Sequence, residues 1–212
     1  FEKEVLGVYV SGHPLEPYEE EWRKVISATT ADFQVDPEVG YTKVRDGARE
    51  IIGGIIAEKT VKHTKTNQMM AFLTVEDLFG TVEVVVFPRD YEKYRQYLEE
   101  DNKIFVKGRV SEEDDKASKL ICEKILPFGQ KELWIQFPDK ETYLEEEAIT
   151  YGYLADSEGN DEVMIYCEKE KIVKKLPANK NISINPQILS RLMNHFGENR
   201  VKVVEKAIEN HF

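Results

Sequence analysis

Lys59, Lys62, His63 and Lys65 fall within seven residues, interleaved with Thr64, Thr66, Asn67 and Gln68. No acidic residue lies between Lys59 and Gln68, so this window carries +3 within a chain of formal charge −11. Side chains of these types, so spaced, suit contacts to the phosphates of a nucleic-acid strand. Lys59, Lys62, His63, Lys65 and Asn67 are therefore candidate backbone contacts. Phe72 and Phe105 are candidate platforms for base stacking, where each stacked base is worth about 1–3 kcal/mol. Lys107 and Arg109 lie close to Phe105 and complete the candidate set. The plainer alternative is a solvated turn together with two core phenylalanines.

Other chemistry has less support. The acidic run Glu112-Glu113-Asp114-Asp115 lacks the ligand spacing and the glycine of a calcium loop and reads as a solvated tip. His13, His63, His195 and His211 are scattered, with no metal-ligand spacing. Glu76 and Asp77 sit at a strand end before a turn, where acids are ordinary. No nucleophile elbow, phosphate-binding loop or dinucleotide-binding glycine pattern occurs. Nothing resembles a catalytic site.

The elements that must position these residues follow from hydrophobic periodicity. Residues 51–61, 69–75, 81–87, 104–110 and 119–126 read as strands, with turn chemistry at 64–68 and 77–80. Pro88 opens a helix expected to run to about residue 99, with Tyr91, Tyr94, Tyr97 and Leu98 on its apolar face. Three strands, a helix and two more strands is the order of a five-stranded Greek-key barrel of the OB type. Val82, Val84 and Val86 share one side of the third strand, and Ile104, Val106, Gly108 and Val110 one side of the fourth. Phe105, Lys107 and Arg109 then face the other way. So do Phe72 and Thr74, if Ala71, Leu73 and Val75 point inward.

The expected organisation is mainly β with α/β. A helical lead-in and linker occupies residues 1–47, the barrel 48–128, and a small α/β domain 129–212. The lead-in reads as a helical segment carrying the apolar stretch 5–10, a turn at 11–14 and a second short helix reaching Trp22. In the last domain, strands are expected at 133–137, 162–168, 172–173, 182–184 and 201–204. Helices are expected at 140–151, 186–196 and 205–210.

A hydrophobic fraction of 41% over 212 residues supports packed cores, and a charged fraction of 33% suits a soluble protein. No apolar run approaches the roughly 20 residues of a membrane-spanning helix, and residues 1–10 lack a signal-peptide pattern. Two cysteines, Cys122 and Cys167, are too few for a disulfide framework or a zinc site, which fits a cytoplasmic protein. A first residue of Phe is what a piece of a longer chain would show.

The residues EKEVLGVYVSGHPLEPY, GGIIAEKTVKHTKTNQMMAFLTVEDLFGTVEVVVFPRDYEKY, VKGRVS and LICEKI resemble the region around the OB domain of bacterial replicative DNA polymerase III alpha subunits (DnaE type). The tail, with LWIQF and GNDEVMIYCEKEK, is similar to their terminal domain, so the resemblance covers essentially the whole chain. It implies a family that polymerises DNA from deoxynucleoside triphosphates with magnesium-bound aspartates in a palm domain. Those motifs are not in this sequence, so no cofactor is expected here, and magnesium belongs to an upstream domain. It further implies an OB domain that handles single-stranded template and a terminal domain that docks the clamp-loader tau subunit and other replisome proteins. The sliding clamp would be bound through a motif upstream of Glu2, and no membrane is involved. Lys62, His63 and Lys65 match the family's basic loop. That loop often ends in a Lys-Arg/Asn-Gly type tip, whereas this one has Lys65-Thr66-Asn67.

Two other readings belong to different classes. One is the anticodon-binding OB portion of an aminoacyl-tRNA synthetase, for which residues 129–212 are too short a remainder. The other is a protein-docking module that binds no nucleic acid, favoured by the −11 charge and opposed by the positive window.

Overall fold

Apolar residues at alternate positions give five strands one buried face each, and closing those faces on one another makes a barrel. The computed structural model describes residues 12–112, 117–208 and 212. Its first five strands are β1 (Arg49–His63), β2 (Met69–Glu76), β3 (Thr81–Val86), β4 (Lys103–Ser111) and β5 (Lys119–Pro127). They form a closed barrel in the order β1-β2-β3-β5-β4. Only β3 and β5 pair in parallel. β1 is 15 residues long, pairs with β4 through its first half and with β2 through its second, and so closes the ring. A register shift between Ile56 and Glu58 bends it where the two partnerships meet.

Inside the barrel, Ile52, Ile56, Leu73, Val75, Val84, Val86, Ile104, Val106, Leu120 and Ile125 are buried together. Helix α2 (Pro88–Tyr94) adds Tyr91 and Tyr94 to that core. It is shorter than its periodicity suggests, and the chain continues as a 3-10 turn, Arg95–Tyr97.

A lead-in packs on the outside of β1 and β4. Helix α1 (Glu19–Val25) begins with three glutamates and ends with Arg23 and Lys24, a charge order that suits the helix dipole. Its Trp22 is fully buried, and the indole Nε1 donates to the Gly53 carbonyl at 2.8 Å. Gly53 has no alternative: a Cβ there would stand 2.5 Å from Trp22 Nε1 and 2.6 Å from the Phe105 ring. The 3-10 turn Thr30–Phe33 is pinned to the β2–β3 turn by Asp77. That buried carboxylate accepts from Thr30 N at 2.8 Å, Thr30 Oγ1 at 2.6 Å and Phe79 N at 2.8 Å. The helical stretch expected at residues 5–10 lies outside the described residues, as does most of the acidic run, 113–115.

Among the described residues, those up to 128 with 208 and 212 make one compact unit and 129–207 another. The second has a four-stranded sheet in the order β8-β7-β6-β9. Its strands are β6 (Lys131–Phe137), β7 (Glu162–Cys167), β8 (Ile172–Lys175) and β9 (Val201–Glu205). Helices α3 (Lys140–Leu154) and α4 (Pro186–Phe196) begin at side-chain caps. Asp139 accepts from Thr142 N and Asn185 from Ile188 N, both at 2.9 Å. Leu133, Ile135, Val163, Ile165, Leu192 and Phe196 centre its core. Residues 182–184 contribute a single bridge, Asp161 to Ile182, rather than a strand. Glu205 ends β9 instead of opening a helix; 206–208 are irregular and 209–210 lie outside the described residues. No helix among the described residues is long and apolar enough to cross a membrane.

Candidate nucleic-acid interface

Side-chain alternation decides which candidate residues share the barrel's outer face. Register pairs Thr60 with Phe72, Phe72 with Val85, Val85 with Ile121, Ile121 with Arg109, and Arg109 with Arg49. Partners in register point to the same side of a sheet, so these six residues form one row around the outside of the barrel. The row runs from threonine through three apolar residues to two guanidinium groups. Phe72 and Ile121 are half-buried, and Val85 is 6% exposed. Two residues further along β1, Lys62 projects on the same side, and its ammonium lies 4.9 Å from the Phe72 ring centroid.

The hairpin that carries the basic window is tight. Thr64 N donates to Gln68 O at 2.8 Å and Asn67 N to Thr64 O at 2.9 Å. Asn67 has φ of 59°, a left-handed conformation that asparagine tolerates better than most residues. Its identity is therefore explained by the turn, and its side chain stays exposed beside His63 and Lys65. None of His63, Lys65 and Arg109 has a carboxylate partner among the described residues. Lys107, half-buried on β4, is in register with Ile51 and Lys124.

Two candidates are corrected. Phe105 does alternate to the outside of β4, yet only 1% of it is exposed. Trp22 approaches it from α1 by way of Gly53, and Phe128 stacks on it with ring centroids 4.2 Å apart. No face of the ring is left for a base. Lys59 lies on the opposite parity of β1 from Lys62, and its ammonium is held by Glu99 at 2.8 Å. It is engaged with a carboxylate of its own chain and turned away from the outer row.

Sequence reasoning missed Val85, Ile121, Arg49 and Glu123. Alternation within β3 and β5 puts Val85 and Ile121 outside, but only the parallel β3–β5 pairing makes them neighbours. Arg49 reaches Arg109 only through the β1–β4 pairing, and Glu123 bonds Arg49 Nε at 3.0 and 3.3 Å. Beneath the row, Cys122 points into the core. Burial pushes its thiol up to about 12, with Asp90 and Glu123 adding to the rise, so it is neutral and unreactive near pH 7. No group of His, Cys, Asp and Glu among the described residues is arranged to hold a metal ion.

Residues 51–128 match the model of the OB-fold nucleic acid binding domain family. Over 208 residues, 95% of the chain, the sequence is 30% identical to DNA polymerase III subunit alpha of Bacillus subtilis (strain 168). The chain is homologous to a segment of DNA polymerase III alpha subunits. The subunit alpha of Borreliella burgdorferi is 36% identical over 126 residues, 59% of the chain. The homologous segment spans 18% of the length of the first relative and 10% of the second. Among solved structures, a domain of replication protein A from Methanococcus maripaludis aligns with 40% of the chain and 88% of its own length. Its identity is 12% and its TM-score 0.34, too distant to bear on function.

Proposed function

We propose that this chain is a non-catalytic portion of a replicative DNA polymerase III alpha subunit and acts in the cytoplasm. In this reading the barrel, residues 48–128, binds single-stranded DNA without sequence preference. The small α/β domain, residues 129–207, docks a replisome protein, the clamp-loader tau subunit. Polymerisation with magnesium and the sliding-clamp contact belong to other segments of such a subunit. The observation that carries the reading is the shared outer face. Lys62, Phe72, Ile121 and Arg109 lie there together, within the residues that match a nucleic-acid-binding family.

Phosphates and base faces are common to every sequence, so cations and a half-exposed ring bind without reading one. Lys62 rests on the Phe72 ring in the free chain. Such a cation–π contact is worth about 0.5–1 kcal/mol at an exposed site, less than the ~1–3 kcal/mol of a stacked base. A base therefore displaces the ammonium, which turns to a phosphate. The docking half of the reading is supported by apolar side chains left exposed on α3, Leu144 and Ile149, and on β8, Ile172 and Val173.

Titration of labelled oligo-dT at several salt concentrations tests the barrel. Each phosphate neutralised on a single strand contributes about 0.7 to the slope of log K against log salt. Replacing both Lys62 and Lys65 by Ala is expected to flatten that slope by about 1.4. An unchanged slope overturns the assignment, and absence of any binding favours a docking module instead. Titration of the chain with purified tau subunit tests the other half, and no complex at micromolar concentrations removes that partner.

A further inference from the structure

We infer that Arg49 and Arg109 form a second phosphodiester-binding position at the far end of the outer row, occupied in the free chain by the carboxylate of Glu123. The inference rests on the single-strand reading above and extends it to a second phosphate and to its built-in competitor.

Three observations converge on this position. First, the β1–β4 register sets the two arginines directly opposite each other on the outer face. Like charges in that relation are destabilising unless an anion sits with them. Second, β5 supplies one. Lys124 pairs with Lys107 and Cys122 with Gly108, so a bulge leaves Glu123 as an extra residue with no partner on β4. Its two carboxylate oxygens both accept from Nε of Arg49, at 3.0 and 3.3 Å. Neither terminal nitrogen of that guanidinium has a partner among the described residues. Arg109 is exposed and has no ion pair among them. The donors suited to bidentate phosphate binding are therefore unused. Third, the pair is solvent-accessible, with side-chain exposures of 67% for Arg49 and 36% for Glu123. An exposed ion pair is held weakly and exchanges readily.

The position also lies where a bound strand would arrive. Neighbouring strands are about 4.8 Å apart, which puts Arg109 about 14 Å from Phe72 along the face. That span falls within the roughly 4–16 nucleotides that one OB fold covers. A strand stacked on Phe72 and crossing Val85 and Ile121 thus brings a later phosphate to the two arginines, and that phosphate displaces Glu123.

Fluorescence anisotropy with labelled oligo-dT at low salt tests the proposal on four forms of the chain: wild type, Glu123→Gln, Arg49→Ala and the double variant. Glu123→Gln is expected to tighten binding about two- to fivefold, the fold-change that matches the strength of an exposed ion pair. In the Arg49→Ala background the same change is expected to gain nothing. A wild type that binds while Glu123→Gln gains nothing overturns the second position alone. So does an equal gain in the two backgrounds, because that would mark a general charge effect. A wild type that binds no oligo-dT at any salt overturns the barrel reading on which the proposal stands.

Discussion

Phe72 and Phe105 alternate to the same outer side of one barrel, on the two strands that flank β1, and the difference between them lies in what covers each ring. Phe72 is half-buried under a single lysine ammonium, which a ligand can push aside. Phe105 is sealed by Phe128 and by the tryptophan that the absence of a Cβ at Gly53 admits. Opposite outcomes follow for the same substitution. Phe105→Ala is expected to cost about 3–5 kcal/mol of stability in urea unfolding, with oligo-dT affinity of the folded chain unchanged. Phe72→Ala is expected to weaken oligo-dT binding by about 1–3 kcal/mol with a smaller loss of stability. If Phe105→Ala weakened binding in chain shown to be folded, the ring would be reaching DNA after all and its burial would be irrelevant to the site. Lys59 and Lys62 repeat the lesson in charge. Three residues apart on a strand, they face opposite ways, and only Lys62 projects beside the outer row.

At the scale of elements, alternation made much of the barrel legible. Ala71, Leu73 and Val75, the three valines of β3, and the aliphatic side of β4 all point inward as their period of two requires. The order of strands around α2 also gave the closed five-stranded topology. Hidden from the sequence was everything that depends on which strand lies beside which. The β3–β5 pairing that joins Val85 to Ile121, and the β5 bulge that frees Glu123, are properties of partners and not of one strand. The sealing of Phe105 depends on a helix some 80 residues earlier in the chain. In the second unit, Glu162 on β7 joins Lys175 of β8 at 2.6 Å and Lys206, just beyond β9, at 3.0 Å. Burial acts to raise its pKa, but the hydrogen bonds and charges of the two lysines outweigh it and leave the pKa lowered. A carboxyl with a lowered folded-state pKa adds stability above its unfolded value of about 4.3, and that stability is lost as pH falls through the folded value. Thermal unfolding between pH 7 and pH 3 is therefore expected to show a declining acid limb that Glu162→Gln makes shallower. An identical limb in the variant would assign the acid sensitivity to other groups, Asp32 among them, whose pKa is also lowered.

For the whole molecule, the proposed single-strand binding sets the −11 charge and the positive outer row against each other over different distances. The Debye length is about 30 Å at 0.01 M salt and about 10 Å at 0.1 M. At the lower concentration an approaching strand feels the net negative field before it meets Lys62 or Arg109. At the higher one that field is screened beyond the immediate neighbourhood of those side chains. Added salt thus removes repulsion during approach while it weakens phosphate contacts after arrival. In stopped-flow mixing with oligo-dT, the association rate constant is expected to stay level or rise between 0.01 and 0.1 M salt. The dissociation rate constant is expected to increase over the same range and to carry nearly all of the loss in affinity. A basic protein steered by its own field behaves in the opposite way, with association falling steeply as salt is added. A steep fall here would mean that the positive row projects well beyond the acid around it. The local charges, and not their sum, would then govern encounter as well as binding.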